Sequence, residues 1–142
     1  MAEIVCHMAN KQRTDYYSES DADLAAKVEE GVPVLDLIAF GKEAGFSAAE
    51  MAGLVRIPAR TYARRVAAKK RLKVDEGERA VRIMRLYDRA KQLFGTNELA
   101  REWLNRPLRV LGGRTPLDYA RTEPGAREAE AVLGRFEGGV VS

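Results

Sequence analysis

A chain of 142 residues is long enough for one ordinary domain or for two small helical domains that share a core. Hydrophobic residues make up 46% of it, which excludes wholesale disorder. No apolar run approaches the roughly 20 residues that a membrane-spanning helix needs, and the N-terminus lacks the basic-then-apolar order of a signal peptide. The single cysteine, Cys6, excludes an internal disulfide, so we expect a cytoplasmic protein.

The charges that sum to a net charge of +3 are distributed unevenly along the chain. Residues 1–30 hold 3 basic and 7 acidic side chains, whereas residues 31–95 hold 14 basic and 7 acidic ones. Residues 96–142 hold 7 of each sign. Eight basic residues and no acidic residue fall between Arg56 and Lys73. A positive cluster in an otherwise nearly balanced chain indicates a surface that binds a polyanion.

The first 20 residues are polar and lack a clear period, so residues 1–20 are predicted to form a flexible arm. Apolar residues then recur at helical spacing, and strand-like alternation is almost absent. One helix is predicted to begin near Pro33 and to end at Gly45, because glycine readily adopts the left-handed conformation that closes a helix. The next helix begins at Ser47-Ala-Ala-Glu50, a capping box.

The longest predicted helix runs from Asp75 to Phe94, where Gly95 stops it, because its apolar residues form a stripe about 100° wide. Three shorter helices follow. Their starts are predicted at Thr96 or Asn97, at Thr115-Pro116 and at Glu123-Pro124, and the last is expected to end at Gly138-Gly139. The fold is therefore predicted to be all-α: a helix-turn-helix bundle joined by a long helix to a small helical domain.

The basic cluster is predicted to lie on the second helix of the helix-turn-helix. Arg56-Ile57-Pro58 forms the turn, and residues 59–71 are expected to form one helix. On a helical wheel its cations and one hydroxyl share a half-cylinder without an acidic residue. Such a helix can enter the DNA major groove, where arginine contacts guanine or phosphate. The candidate DNA-binding residues are Arg56, Arg60, Thr61, Arg64, Arg65, Lys69 and Arg71.

Two observations weigh against the prediction of a DNA-binding helix. A solvated basic face without a ligand explains a single basic helix equally well. The turn also has arginine, isoleucine and proline where many helix-turn-helix motifs carry glycine, which leaves the angle between the two helices open.

The last third of the chain combines LFGTNELAREWLNRP, a Gly112-Gly113-Arg114 turn, and Thr-Pro and Glu-Pro-Gly helix starts. Trp103 is most simply a core residue, and the two glycines permit a tight turn. The end of the chain is harder to explain as structure, because Phe136, Val140 and Val141 are apolar and two glycines separate them. An isolated chain gains little by exposing them, so this region predicts a surface for a partner.

This order of motifs resembles the toxin-binding domain of the Xre/MbcA/ParS-type antitoxins, and the upstream region resembles the helix-turn-helix part of the same proteins. The resemblance covers about residues 31–142. It implies an antitoxin of a type II toxin-antitoxin system whose partner is a RES-domain toxin, an enzyme that consumes NAD. It also implies that the antitoxin occludes the toxin's active site and binds its own promoter to autoregulate the operon.

Residues of the toxin-binding region follow from the same resemblance. They are Arg135, Phe136, Glu137, Gly138, Val140 and Val141, of which Arg135 and Glu137 offer charges to a site built for a dinucleotide. The implied organisation is a flexible arm (1–20), an Xre-like helix-turn-helix region (21–73), a long connecting helix (74–95) and the toxin-binding domain (96–142).

Nothing in the sequence supports catalysis. The single histidine, His7, adjoins Cys6 in the predicted arm, and two ligands cannot complete a tetrahedral zinc site. No phosphate-binding glycine loop is present. We therefore expect no enzyme activity, no catalytic residue, no metal and no cofactor. The alternative to an antitoxin is a stand-alone helix-turn-helix transcriptional regulator whose C-terminal domain dimerises or binds another partner.

A homodimer is expected, because Val81 and Leu86 lie off the main apolar stripe of the long helix and helix-turn-helix proteins usually read two half-sites. The predicted dimer contact lies near Leu86 and Tyr87, with the toxin and the operator DNA bound elsewhere and no membrane contact.

Overall fold

The structure, a computed structural model, describes residues 13–138. These residues form eight α-helices and one short 3-10 turn, and they contain two isolated bridges but no β-strand. The helices are α1 (Asp21–Glu30), α2 (Val34–Ala44), α3 (Ala48–Val55), α4 (Ala59–Ala68), α5 (Val74–Phe94), α6 (Asn97–Leu104), α7 (Pro116–Tyr119) and α8 (Glu123–Glu137). The prediction of an all-α fold is confirmed.

The chain divides into two compact units, and the division falls between Val81 and Arg82, inside α5. In the first unit, α2, α3 and α4 pack against one another. In the second unit, α8 packs against α7, and α7 packs against α6. None of the helices among residues 13–138 is long and apolar enough to cross a membrane.

The predicted capping box begins α3. The Ser47 hydroxyl accepts a hydrogen bond from the Glu50 amide at 3.1 Å, and the Glu50 carboxylate accepts one from the Ser47 amide at 3.0 Å. This pairing satisfies two amides that the helix leaves without partners, and it holds the pKa of Glu50 below its usual value. Gly45 ends α2 in the left-handed conformation, as the sequence predicts.

Residues 13–20 belong to the first unit and are held to it by buried contacts, so the prediction of a flexible arm is wrong for them. Tyr16 is fully buried, and its hydroxyl donates to Asp36 Oδ2 at 2.6 Å. Burial, reinforced by this bond, raises the pKa of Tyr16. Arg13 pairs with Glu43 at 2.8 Å and lies over the ring of Phe40. Residues 1–12 lie outside the described part of the chain.

Helix α4 is shorter than predicted. It ends at Ala68, and Lys69 adopts the left-handed conformation, so Arg71 is not on this helix as the sequence analysis expected. Arg71 instead forms an isolated antiparallel bridge with Pro33, and its Nη1 donates to Gly31 O at 2.8 Å. Both contacts are with a segment about 40 residues earlier in the chain, which the period of a single helix does not predict.

A buried ion pair between Arg65 and Glu76 joins α4 to α5. The two side chains are only 13% and 6% exposed. Glu76 Oε1 also accepts a hydrogen bond from the Lys73 amide at 2.8 Å, which satisfies a free amide at the start of α5. The prediction that Arg65 lies on an exposed arc without an acidic neighbour is therefore wrong, because the carboxylate comes from the next helix.

In the second unit, three ion pairs join α5 to α8. Arg82 pairs with Glu123 at 3.2 Å, Arg85 with Glu130 at 3.7 Å and Arg89 with Glu137 at 3.1 Å. The predicted helix starts are confirmed: hydroxyls of Thr96, Thr115 and Thr122 accept hydrogen bonds at the first turns of α6, α7 and α8.

Gly125 allows α8 to begin close to the end of α7. A Cβ atom at this position would lie 1.9 Å from the carbonyl oxygen of Tyr119. At that distance a side chain would displace backbone, so the position requires glycine.

The predicted dimer contact near Leu86 and Tyr87 is wrong. Both side chains are fully buried within the chain, and Val81 is 8% exposed. The Tyr87 hydroxyl donates to Asn97 Oδ1 at 2.7 Å. A second copy therefore cannot contact these residues without unfolding part of the helical packing.

We predict that Arg65→Ala lowers the free energy of unfolding by about 3–5 kcal/mol, because it leaves the Glu76 carboxylate buried without a counter-charge. The matched variant Arg60→Ala, on the same helix but exposed, should change it by less than about 0.5 kcal/mol. Urea denaturation followed by circular dichroism measures both values. Equal, small losses in the two variants would contradict the structural role of Arg65.

Candidate nucleic-acid interface and partner-binding region

The helices α3 and α4, joined by Arg56-Ile57-Pro58, form the helix-turn-helix. Arg56 ends α3 with a φ of 56° and a ψ of 47°, the left-handed conformation in which glycine is more usual. An arginine therefore adopts the left-handed conformation in a turn where many helix-turn-helix motifs carry glycine. Pro58 follows at the N-cap of α4, where its missing amide costs no hydrogen bond.

Four of the predicted DNA-binding residues are exposed: Arg56, Arg60, Arg64 and Lys69. Their side chains form no ion pair within residues 13–138. Thr61 lies among them on α4 and is partly exposed. The remaining two, Arg65 and Arg71, are engaged with Glu76 and with the Gly31 carbonyl.

The site assignment from sequence leaves out Lys70 and Lys73. Both are exposed, and both follow the end of α4 in the segment that leads to α5. The sequence contains the signal as the basic run from Lys69 to Lys73. Lys70 falls within the predicted helix (residues 59–71), which in the structure ends at Ala68, and Lys73 lies beyond both helices.

Two cations lie at the ends of the helix-turn-helix helices in an uncommon backbone conformation. Arg56 and Lys69 are the non-glycine residues with positive φ among residues 13–138, at 56° and 53°. The conformation costs an L-residue roughly 1–2 kcal/mol. A positive side chain at a helix C-terminus interacts favourably with the helix dipole, which offsets part of that cost. Between them α4 extends for roughly 15 Å at 1.5 Å per residue.

At the other end of the chain, the predicted toxin-binding residues lie at the last turn of α8. Arg135, Phe136 and Glu137 belong to the helix, and Gly138 is its C-cap. Arg135 is exposed. Phe136 is 41% exposed and meets the ring of Phe94 edge-on, with 6.1 Å between the centroids. Val140 and Val141 lie outside the described residues.

Glu137 is engaged within the second unit. Its carboxylate accepts hydrogen bonds from Arg89 Nε at 3.1 Å and from Arg89 Nη2 at 3.2 Å. This pairing holds the pKa of Glu137 below its usual value. A Cβ atom at Gly134 would lie 3.2 Å from Arg89 Nη2, so the glycine leaves room for the guanidinium.

No cluster of three or more histidine, cysteine, aspartate or glutamate side chains suited to a metal occurs among residues 13–138. Cys6 and His7, the pair considered in the sequence analysis, lie outside the described residues.

Two family models match the chain. The antitoxin Xre-like helix-turn-helix domain matches residues 23–85, and the antitoxin Xre/MbcA/ParS C-terminal toxin-binding domain matches residues 89–139. The first match contains α3, α4 and the exposed cations, and the second contains the end of α5 together with α6, α7 and α8.

Three curated relatives carry the name Antitoxin Xre. The protein of Photorhabdus laumondii subsp. laumondii is 35% identical over 126 residues, which are 88% of this chain and 85% of that protein. That of Yersinia enterocolitica is 38% identical over 66% of this chain and 64% of its own length. That of Pseudomonas putida is 32% identical over 54% of this chain and 48% of its own length. The chain therefore belongs to the Xre family of antitoxins and consists of a helix-turn-helix domain followed by a toxin-binding domain.

Proposed function

We propose that this chain neutralises a RES-type toxin that consumes NAD, and that it does so by occluding the toxin's active site. The observation that carries the proposal is the match of the toxin-binding domain to residues 89–139, which include α6, α7 and α8. The name Antitoxin Xre of the three relatives supports the antitoxin role. The RES class of the toxin rests on the resemblance described above.

The last turn of α8 is the proposed origin of the occluding segment. Arg135 is exposed, whereas the charge of Glu137 is already paired with Arg89. A cleft that binds a dinucleotide attracts a cation to the place of the pyrophosphate, so Arg135 is the charged group proposed to enter it. Val140 and Val141 are proposed to follow it into the cleft as apolar contacts.

Deletion of residues 138–142 is predicted to abolish protection from the toxin. Helix α8 keeps its Arg89–Glu137 pair, so circular dichroism should show the helical content of the full chain. Growth of cells that co-express the toxin with either form measures protection. Equal growth with the truncated and the full chain would refute the occlusion mechanism. A full chain that gives no protection would favour the stand-alone regulator.

We further propose that the chain autoregulates its operon by binding promoter DNA with α4 in the major groove. The match to the helix-turn-helix domain and the exposed cations Arg60 and Arg64 on α4 support this proposal. Arg60, Thr61 and Arg64 are proposed to face the base edges and nearby phosphates, and Arg56 and Lys69 to contact phosphates at either end of α4. Arg65 is assigned to holding α4 in place. Binding as a homodimer to two half-sites would multiply a modest affinity per copy.

The double variant Arg60→Ala/Arg64→Ala is predicted to bind promoter DNA more weakly and with a flatter salt dependence. Each lost phosphate contact reduces the slope by about 0.9, so two contacts reduce it by about 1.8. The control is Arg109→Ala/Arg127→Ala, which removes two exposed cations from the second unit. Fluorescence anisotropy over a salt series gives both slopes. If the two double variants behave alike, the effect is one of net charge and α4 is not the DNA-binding helix.

A further inference from the structure

An apolar row crosses three helices of the second unit. Phe136 on α8, Phe94 at the end of α5 and Trp103 on α6 are joined by ring contacts, with Phe94 6.1 Å from Phe136 and 6.2 Å from Trp103 between centroids. Leu99 precedes Trp103 by four residues on α6, so the two side chains share a face of that helix. We call these four residues the apolar row.

Both ends of the apolar row are exposed. Leu99 is 47% exposed and Phe136 is 41% exposed. Polar groups border each end: Glu98 and Glu102 are exposed on α6 near Leu99, and the Arg89–Glu137 pair adjoins Phe136. Apolar side chains exposed beside polar ones have the composition of a protein-binding surface, and aromatic residues are enriched at the centre of such surfaces.

The middle of the apolar row contains an unsatisfied donor. Trp103 is 7% exposed, and its Nε1 is buried without a hydrogen-bond partner among the described residues. Buried polar groups are normally hydrogen-bonded, and one that is not costs free energy. An N–H that lacks an acceptor in the free chain gains one if the side chains around it shift when a partner docks.

We infer that the apolar row is a docking surface for the toxin and that it adjoins, at Phe136, the segment proposed to occlude the active site. The inference rests on the proposed function, since the toxin-binding domain match contains all four residues. The complementary toxin surface has an apolar centre, an acceptor for Trp103 Nε1 and a basic group opposite Glu98. Burial of Leu99 and Phe136 supplies affinity, whereas Arg135 and the residues after α8 are the groups proposed to block the cleft.

Serine substitutions test the apolar row against a matched control. Leu99→Ser and Phe136→Ser are expected to weaken binding at least tenfold to the RES-domain toxin of the same operon, inactivated by substitution. Leu35→Ser removes a leucine that is 51% exposed in the first unit and should leave binding unchanged. Isothermal titration calorimetry measures each affinity. Because Phe136 also packs on Phe94, Leu99→Ser is the decisive variant if Phe136→Ser lowers stability.

The single tryptophan provides a second readout. Full chain labelled with 5-fluorotryptophan gives one ¹⁹F resonance, which should shift when the inactive toxin is added and stay in place when promoter DNA is added. If deletion of residues 139–142 shifts the resonance in the absence of toxin, the apolar row contacts the end of the chain itself. That result would overturn the inference.

The outcomes also separate this inference from the proposed function. Wild-type binding with no ¹⁹F shift and no loss for Leu99→Ser overturns the docking surface alone. If the wild-type chain does not bind the toxin at all, both the inference and the proposed function are wrong.

Discussion

Arginines on one side of α5 hold the helices of each unit in place. In the first unit, Arg79 Nε donates to the carbonyl of Val55 at 2.8 Å, at the end of α3. In the second unit, Arg82, Arg85 and Arg89 pair with three glutamates of α8. Their spacing of three or four residues keeps them on one side of the helix. Arginine suits this role because its long stem packs on apolar surface while its planar head donates several hydrogen bonds.

Arginine contacts of this kind position the helices that carry the proposed functional surfaces. Arg79 fixes the end of α3 just before the turn at Arg56, and Arg65 with Glu76 fixes α4 against the start of α5. Arg89 holds the last turn of α8, where Phe136 and the C-cap Gly138 lie. The exposed cationic surface is therefore smaller than the basic cluster in the sequence, because some arginines of that cluster form ion pairs or hydrogen bonds within the chain.

Local signals in the sequence predict much of this fold. Helix starts at Ser47, Thr96 and Thr115 were predictable because a hydroxyl bonds to an amide three residues later, an interaction that needs no distant partner. The all-α fold and the turn before α4 follow from similar short-range rules. The exposure of Arg60 and Arg64, two candidate DNA-binding residues, was predictable from the period of a single helix.

Features that depend on distant partners were not predictable in the same way. The burial of Tyr16 depends on its acceptor, Asp36, which lies 20 residues later. The ion pair of Arg65 depends on Glu76 of the next helix, since no acidic residue occurs on its own helix. The pairing of α5 with α8, in contrast, has a signal in the sequence. Glu123, Glu130 and Glu137 recur every seven residues on α8, and the arginines they pair with on α5 are spaced by three and four.

The central proposal is that this antitoxin carries two separate ligand surfaces, one for duplex DNA on α4 and one for a toxin in the second unit. Sedimentation velocity with a fluorescein-labelled duplex from its own promoter tests the proposal directly. The duplex should sediment faster when the full chain is added, and faster again when the inactive RES-domain toxin joins it. Toxin alone should leave the duplex unchanged. Release of the duplex by the toxin, or a complex that the toxin does not enlarge, would contradict the account.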